Sequence, residues 1–233
     1  VHLGTGNYHS GTARAYTDFS LMTADPAIGQ DVHLIFQQLS GLAAPLKLQR
    51  LLQSPFTLHQ GVLDRIAREA AHARAGKPAR IVAKMNALNE PGVVRALYEA
   101  SMAGVDIDLI VRGACTLRPG IPGISERIRV RSVVGRFLEH HRVWWFGNDG
   151  TPELFCSSAD WLERNLLRRV EIAFPVLDPL LAHRVHREGL LNYLADNQNA
   201  WQLHADGHYE RCRPAAGEAA FSAQLSLLED LYT

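Results

Sequence analysis

The chain has 233 residues, 47% of them hydrophobic and 21% charged, which is the balance of a folded globular protein and excludes disorder and collagen-like repeats. Twenty-four basic residues match 24 acidic ones, a neutral total that argues against a general nucleic-acid binder. No run of eighteen apolar residues offers a membrane-spanning helix, and no charged-then-apolar leader suggests export, so a cytoplasmic place is expected.

Val1-His2-Leu3 reads as a strand already under way, which makes the chain look like the later part of a longer one. A turn-rich Gly4-Thr5-Gly6-Asn7 follows, and then Val32, Ile35, Phe36 and Leu39 recur at helical spacing before Gly41. Residues 42–56 carry two prolines and no period, which places a boundary there and divides the chain into 1–53 and 54–233. Thr57-x-x-Gln60 has the form of a capping box, with Val62, Ile66 and Ala70 on one helical face and Gly76-x-Pro78 as the stop. A β-rich Arg80–Met85, a helix over 91–103 stopped by Gly104, and a β-rich Val105–Val111 form a βαβ unit, whose strands should be parallel.

Four more strands are predicted at Arg127–Val134, Arg142–Phe146, Glu153–Cys156 and Arg169–Val176, the middle two joined by the turn Gly147-Asn148-Asp149-Gly150. A helix over 178–196, a hairpin at Asp206-Gly207 and a helix near 219–231 complete the chain. The expected class is α/β, a mixed β-sheet flanked by helices. Cys115, Cys156 and Cys212 are odd in number and widely spaced, so neither a disulfide framework nor a zinc ribbon is indicated.

The neutral charge hides an asymmetry. Only Lys47, Lys77 and Lys84 are lysines, against 21 arginines, and seven arginines fall between 112 and 142 against two acids, Glu126 and Glu139. Arginine's planar fork suits phosphate, so this stretch is where an anion is expected, although a GC-rich genome also favours arginine. In active parallel sheets functional groups gather at the carboxyl ends of strands, which singles out Lys84, Asn86 and Arg112.

The richest stretch joins His140-His141-Arg142 at the entry of a strand to Ser157-Ser158-Ala159-Asp160 at the exit of the next. Imidazole, guanidinium and hydroxyl groups at one sheet end suit phosphoryl chemistry, with the serines orienting the imidazole. The same residues also fit a part-exposed histidine pair beside a surface arginine. Gly4-Thr5-Gly6-Asn7 and Ser157-Ser158-Ala159-Asp160 both follow short apolar strands, which suggests two halves built alike.

Paired His-x-Lys and Gly-Ser-x-Asn spacings of this kind resemble the phospholipase D superfamily, and the chain is similar to the carboxyl-terminal part of phosphohistidine-type polyphosphate kinases. The resemblance rests on His2-Leu-Gly-Thr-Gly-Asn-Tyr8, Thr12-Ala-Arg14-Ala-Tyr16-Thr-Asp18, Leu21-Met-Thr-Ala-Asp25, Ala83-Lys84-Met-Asn86, Asp108-Leu-Ile-Val-Arg112-Gly113, the run from Ile128 to His140, Ser157-Ser-Ala-Asp160-Trp161 and Arg168-Arg-Val-Glu171. It implies a phospholipase D-like sheet, with 1–53 as the remnant of a first catalytic half.

The resemblance further implies reversible transfer of the ATP γ-phosphate to polyphosphate through a phosphohistidine in a Thr-His-Ala-Lys segment. No such segment occurs in the sequence, so it is expected upstream of Val1, and the 233 residues alone are expected to be inactive. Tyr16 would contact adenine, Arg112 the ATP phosphates, and His140 would be the second active-site histidine. Asn7, Arg142, Ser157 and Ser158 would support the transferred phosphoryl group, with Lys84 and Asn86 as further candidates. His9, His59 and His141 are expected at the surface.

ATP or ADP as substrate, Mg2+ held by residues outside the chain, a homo-oligomer, no nucleic-acid partner and a peripheral place at the inner membrane are implied as well. Arg142 stands where phospholipase D enzymes have lysine and Asp160 where they usually have asparagine, which disfavours a plain phosphodiesterase. A noncatalytic polyanion-binding module built on the arginine-rich stretch is the competing reading.

Overall fold

The computed structural model describes residues 1–41 and 47–232, with the side chains of 231 and 232 left aside. The expected boundary segment lies partly outside the described residues. In chain order the elements are β1 (His2–Gly4), α1 (Ser10–Ala15), β2 (Tyr16–Thr17), β3 (Ser20–Met22), α2 (Pro26–Leu39), β4 (Leu52–Ser54), α3 (Leu58–Arg74) and β5 (Arg80–Met85). There follow α4 (Pro91–Met102), β6 (Asp106–Val111), β7 (Ile128–Val133), β8 (Leu138–Glu139), β9 (Arg142–Phe146), β10 (Glu153–Ser157), α5 (Glu163–Leu167) and β11 (Glu171–Pro175). The chain closes with α6 (Pro179–His186), a π turn at Arg187–Leu191, α7 (Asn192–Ala195), β12 (Ala200–Leu203), β13 (Tyr209–Arg211) and α8 (Ala223–Tyr232).

Nine strands form one mixed sheet in the order β13-β12-β7-β6-β5-β9-β10-β11-β4. β5, β6 and β7 are parallel, as the βαβ reading requires, and the remaining pairs are antiparallel. The central strands are apolar on both sides because both faces of the sheet are covered. Ile81, Ala83 and Met85 of β5 pack with Val62 and Ile66 of α3 and Val93 and Leu97 of α4, while Val82 between them packs with Leu3, Ile28 and Ile35 from the amino-terminal segment. The division expected after residue 53 falls inside β4, an edge strand paired with β11.

Buried carboxylates pin the joints. Asp31 of α2 accepts hydrogen bonds from the backbone N–H groups of Gln49, Arg50 and Leu51, which ties the segment before β4 to the helix. Glu69 of α3 accepts from the N–H groups of Arg80 and Asn148 and so locks that helix to the sheet. The capping box does not form. Thr57 turns its hydroxyl to the N–H of Gln53 and Gln60 donates to Asp64, because the tight turn after β4 claims the threonine first.

Candidate functional site

The carboxyl ends of β5 and β6, the start of β9 and the end of β10 lie at one edge of the sheet, since Lys84 is opposite Val143 and Arg142 opposite Ser157. The two-stranded parallel ribbon of β2 and β8 then lays Tyr16 and Thr17 beside Leu138 and Glu139. This ribbon carries the amino-terminal segment across the sheet edge and delivers Tyr16 and Asp18 to His140.

His140 sits between two charged groups. Its Nδ1 lies 2.9 Å from Oδ2 of Asp18, and Arg142 Nη1 lies 3.2 Å from its Nε2. The carboxylate can only accept, so the Nδ1–H of His140 donates to Asp18, while the Arg142 guanidinium lies along the ring, 3.2 Å from Nε2 and 3.5 Å from Nδ1. The Tyr16 ring stands over it at 5.0 Å between centroids. Burial of Asp18 would raise its pKa, but hydrogen bonds from His140 and Thr5 outweigh that and hold the carboxyl below the usual range.

Arg142 is buried and fully engaged. It makes a two-pronged pair with Asp160, Nε to Oδ1 and Nη2 to Oδ2, both at 3.1 Å, and donates to the carbonyl of Thr5. Asp160 also accepts from the N–H of Asn86. Asn86 in turn donates to the carbonyl of His140 and accepts from Nε of Arg112. One hydrogen-bonded chain thus joins Arg112, Asn86, Asp160, Arg142, His140 and Asp18. It ties the end of β5 and the loop after β6 to the amino-terminal segment.

Below this chain lies a buried ionic group. Lys84 pairs with Glu139 at 2.8 Å, both side chains 2% exposed, and its ammonium faces the Tyr193 ring at 4.6 Å. Burial pushes the Lys84 pKa down, against the pull of Glu139; Glu139, which burial would raise, is held down by Lys84. Thr17 and Gln224 complete the hydrogen bonding of that carboxylate.

His141, expected at the surface, is buried instead. In the two-residue link between β8 and β9 it turns away from His140 into the protein, where its Nε2–H donates to the carbonyl of Gly189 and its Nδ1 faces Thr17 and Lys84. Burial, with Lys84 beside it, pushes its pKa down to about 3.

The other expected residues divide. Asn7, Tyr16 and Asp18 line one open hollow of about 510 Å³ with His2 and Tyr8. Arg112 lines a smaller one, about 200 Å³, with Ser132, Trp201 and Tyr209. The serines turn away from the imidazole: Ser157 donates to the carbonyl of Ile172 and Ser158 to Glu171, so both hydroxyls fasten β10 to β11, and the carboxylate of Asp18 orients His140 in their place.

The arginine-rich stretch does not form one edge. Arg127 and Arg129 pair with Asp106 and Asp108, Arg131 holds carbonyls at Tyr193 and Leu194, and Arg118 holds Ala205. Only Arg112 and Arg142 of the seven belong to the hydrogen-bonded chain at His140. Asp18 and Asp160 are the two carboxylates of that chain, and neither stands out by pattern; Asp18 lies two positions after Tyr16, past the two-residue strand β2.

His9 is exposed, and His59 is part-buried against Glu90. The three cysteines are free, with burial pushing Cys156 up to about 12. Both carboxylates beside His140 are already taken, Asp18 by His140 and Thr5 and Asp160 by Arg142 and Asn86, so these residues do not fit a magnesium site.

The chain is thus an α/β domain with a hydrogen-bonded histidine–arginine–carboxylate cluster at one edge of its sheet. Residues 1–45 match the model of polyphosphate kinase C-terminal domain 1 and residues 51–224 that of polyphosphate kinase C-terminal domain 2. The chain belongs to the polyphosphate kinase family. It is 72% identical over 231 residues to a polyphosphate kinase of Xylella fastidiosa strain Temecula1 and 62% identical over 228 residues to one of Burkholderia lata, covering 99% and 98% of this chain and 33% of each relative. The crystal structure of polyphosphate kinase from Porphyromonas gingivalis superposes with a TM-score of 0.94 at 40% identity, over 99% of this chain and 35% of that one. The chain therefore spans about a third of the length of the relatives it matches.

Proposed function

We propose that this chain supplies the nucleotide side of an ATP:polyphosphate phosphotransferase centre, in which the γ-phosphoryl group passes reversibly from ATP to a histidine outside these residues and then to the end of polyphosphate. The carrying observation is the hydrogen-bonded chain from Arg112 to Asp18 through His140 and Arg142. Arg112 presents positive charge at the sheet edge, where equatorial phosphoryl oxygens gather charge during transfer, and Arg142, paired with Asp160, supports His140 beside it. His140, held at Nδ1 by Asp18, moves a proton at Nε2. Tyr16 offers its ring to adenine at the hollow it shares with Asn7. Mg2+ would be held by residues outside the chain, and the homo-oligomer, the cytoplasmic or peripheral membrane place and the absence of a nucleic-acid partner belong to the same reading.

Binding of ATP and of tripolyphosphate to the full-length enzyme tests the assignment. Tyr16→Ala should weaken ATP about tenfold, as lost base stacking does, and leave tripolyphosphate unchanged. Arg112→Ala should weaken both. Equal binding of the two ligands, steeply salt-dependent and indifferent to Tyr16, would instead support a noncatalytic polyanion module.

A further inference from the structure

The hairpin of β12 and β13 carries a second cluster, away from His140. Its register sets Leu203 opposite Tyr209 and Gln202 opposite Glu210, and His204 closes the turn by donating its N–H to the carbonyl of His208. Alternation along the two strands therefore puts His204, His208 and Glu210 on one face, with Trp201 and Tyr209 on the other. The two imidazoles stack at 4.4 Å between centroids and 7° between planes. Glu210 Oε2 stands 3.0 Å from Nε2 of His204, and one ligand atom from each of the three residues lies within 4.8 Å of the others.

Two features aim these groups outward. Asp206 Oδ1 lies 2.5 Å from Nδ1 of His208 and accepts its proton there, which leaves the Nε2 lone pair of that ring free. Arg118 grips the carbonyl of Ala205 with Nε and Nη2, holding the turn in place.

We propose that His204, His208 and Glu210 form a binding site for a divalent transition-metal ion. Two imidazole nitrogens and one carboxylate oxygen, with water in the fourth position, match the tetrahedral preference of zinc and not the all-oxygen octahedron of magnesium. On binding, the ion takes the place of the hydrogen bond between His204 and Glu210, the His204 ring proton moves from Nε2 to Nδ1, and that ring turns out of the stack so that its lone pair meets the ion held by Nε2 of His208. The ion would fasten the outermost strand of the sheet, whose opposite face lines the hollow containing Arg112.

The purified full-length protein, stripped with a chelator, is titrated with Zn2+ and with Co2+ in excess Mg2+. One equivalent should bind in the presence of Mg2+, and Co2+ should give the intense visible bands of a tetrahedral site. The paired substitution His204→Ala and His208→Ala should remove that equivalent and those bands, and Asp206→Asn should weaken binding about tenfold through loss of the supporting carboxylate. His208 and Glu210 are exposed and His204 is half-buried in the hairpin turn, so the variants should keep the circular dichroism of the parent. A double variant that binds the same number of ions with the same affinity, or Co2+ with only weak octahedral bands, overturns the proposal.

Discussion

The carboxylate of Asp18 reaches Nδ1 of His140 at 2.9 Å across 122 positions of sequence, and this pairing sets the orientation of the ring. It depends on Gly6. A Cβ at that position would overlap the Asp18 carboxylate, so only glycine lets the two segments approach.

Asp18→Asn should lower kcat for polyphosphate synthesis by about 10- to 100-fold while leaving the KM for ATP within about twofold, because a positioning group acts on the imidazole and not on the nucleotide. Gly6→Ala should lower kcat in the same direction by displacing the same carboxylate. Steady-state kinetics of the full-length enzyme check both; unchanged kcat in Asp18→Asn would remove its role.

Arg142→Lys keeps the charge but loses the fork that meets Asp160 at two points and also reaches Thr5. Turnover should fall about 100-fold, and stability by about 2 kcal/mol for the charged hydrogen bonds lost. Denaturation measured beside kinetics separates the two effects.

Lys84→Met leaves Glu139 buried without its cation and should cost about 3–5 kcal/mol. Adding Glu139→Gln should restore most of this, since the uncharged pair has no charge to bury. A double-mutant cycle in chemical denaturation reads the coupling, and additive losses would contradict it.

His141 gives stability a pH dependence. Its folded pKa, about 3, lies below the usual 6.5, so the unfolded chain takes up a proton that the folded chain refuses. The contribution is full above pH 6.5 and is lost as pH falls from there toward 3, at up to about 1.4 kcal/mol per pH unit. His141→Gln retains a donor for the Gly189 carbonyl but does not titrate. Between pH 7.0 and 5.5 it should lose about 1.2 kcal/mol less than the parent, measured by denaturation at each pH.

Much of the fold is legible in the residues because the signals are local. The run Arg80–Met85 is a strand with exactly those bounds, the parallel neighbour at Asp106–Val111 follows from the helix between them, and Gly76 and Gly104 stop their helices at positive φ. The site is legible only in part. Arg142 and His140 stand where the strand entry puts them, whereas the serines of 157 and 158 and the arginines of 127–131 found other partners as the sheet assembled.

The sequence by itself determined the α/β class, the two-sided burial of the central strands and the grouping of His140, Arg142 and Asp160, because periodicity and adjacency act over a few residues. Only the tertiary structure decided that Asp18 holds His140, that His141 is buried and that the arginines are dispersed. Those outcomes follow from which distant carboxylates and carbonyls packing brings within hydrogen-bond reach, and a neutral charge total carries no information about such pairing.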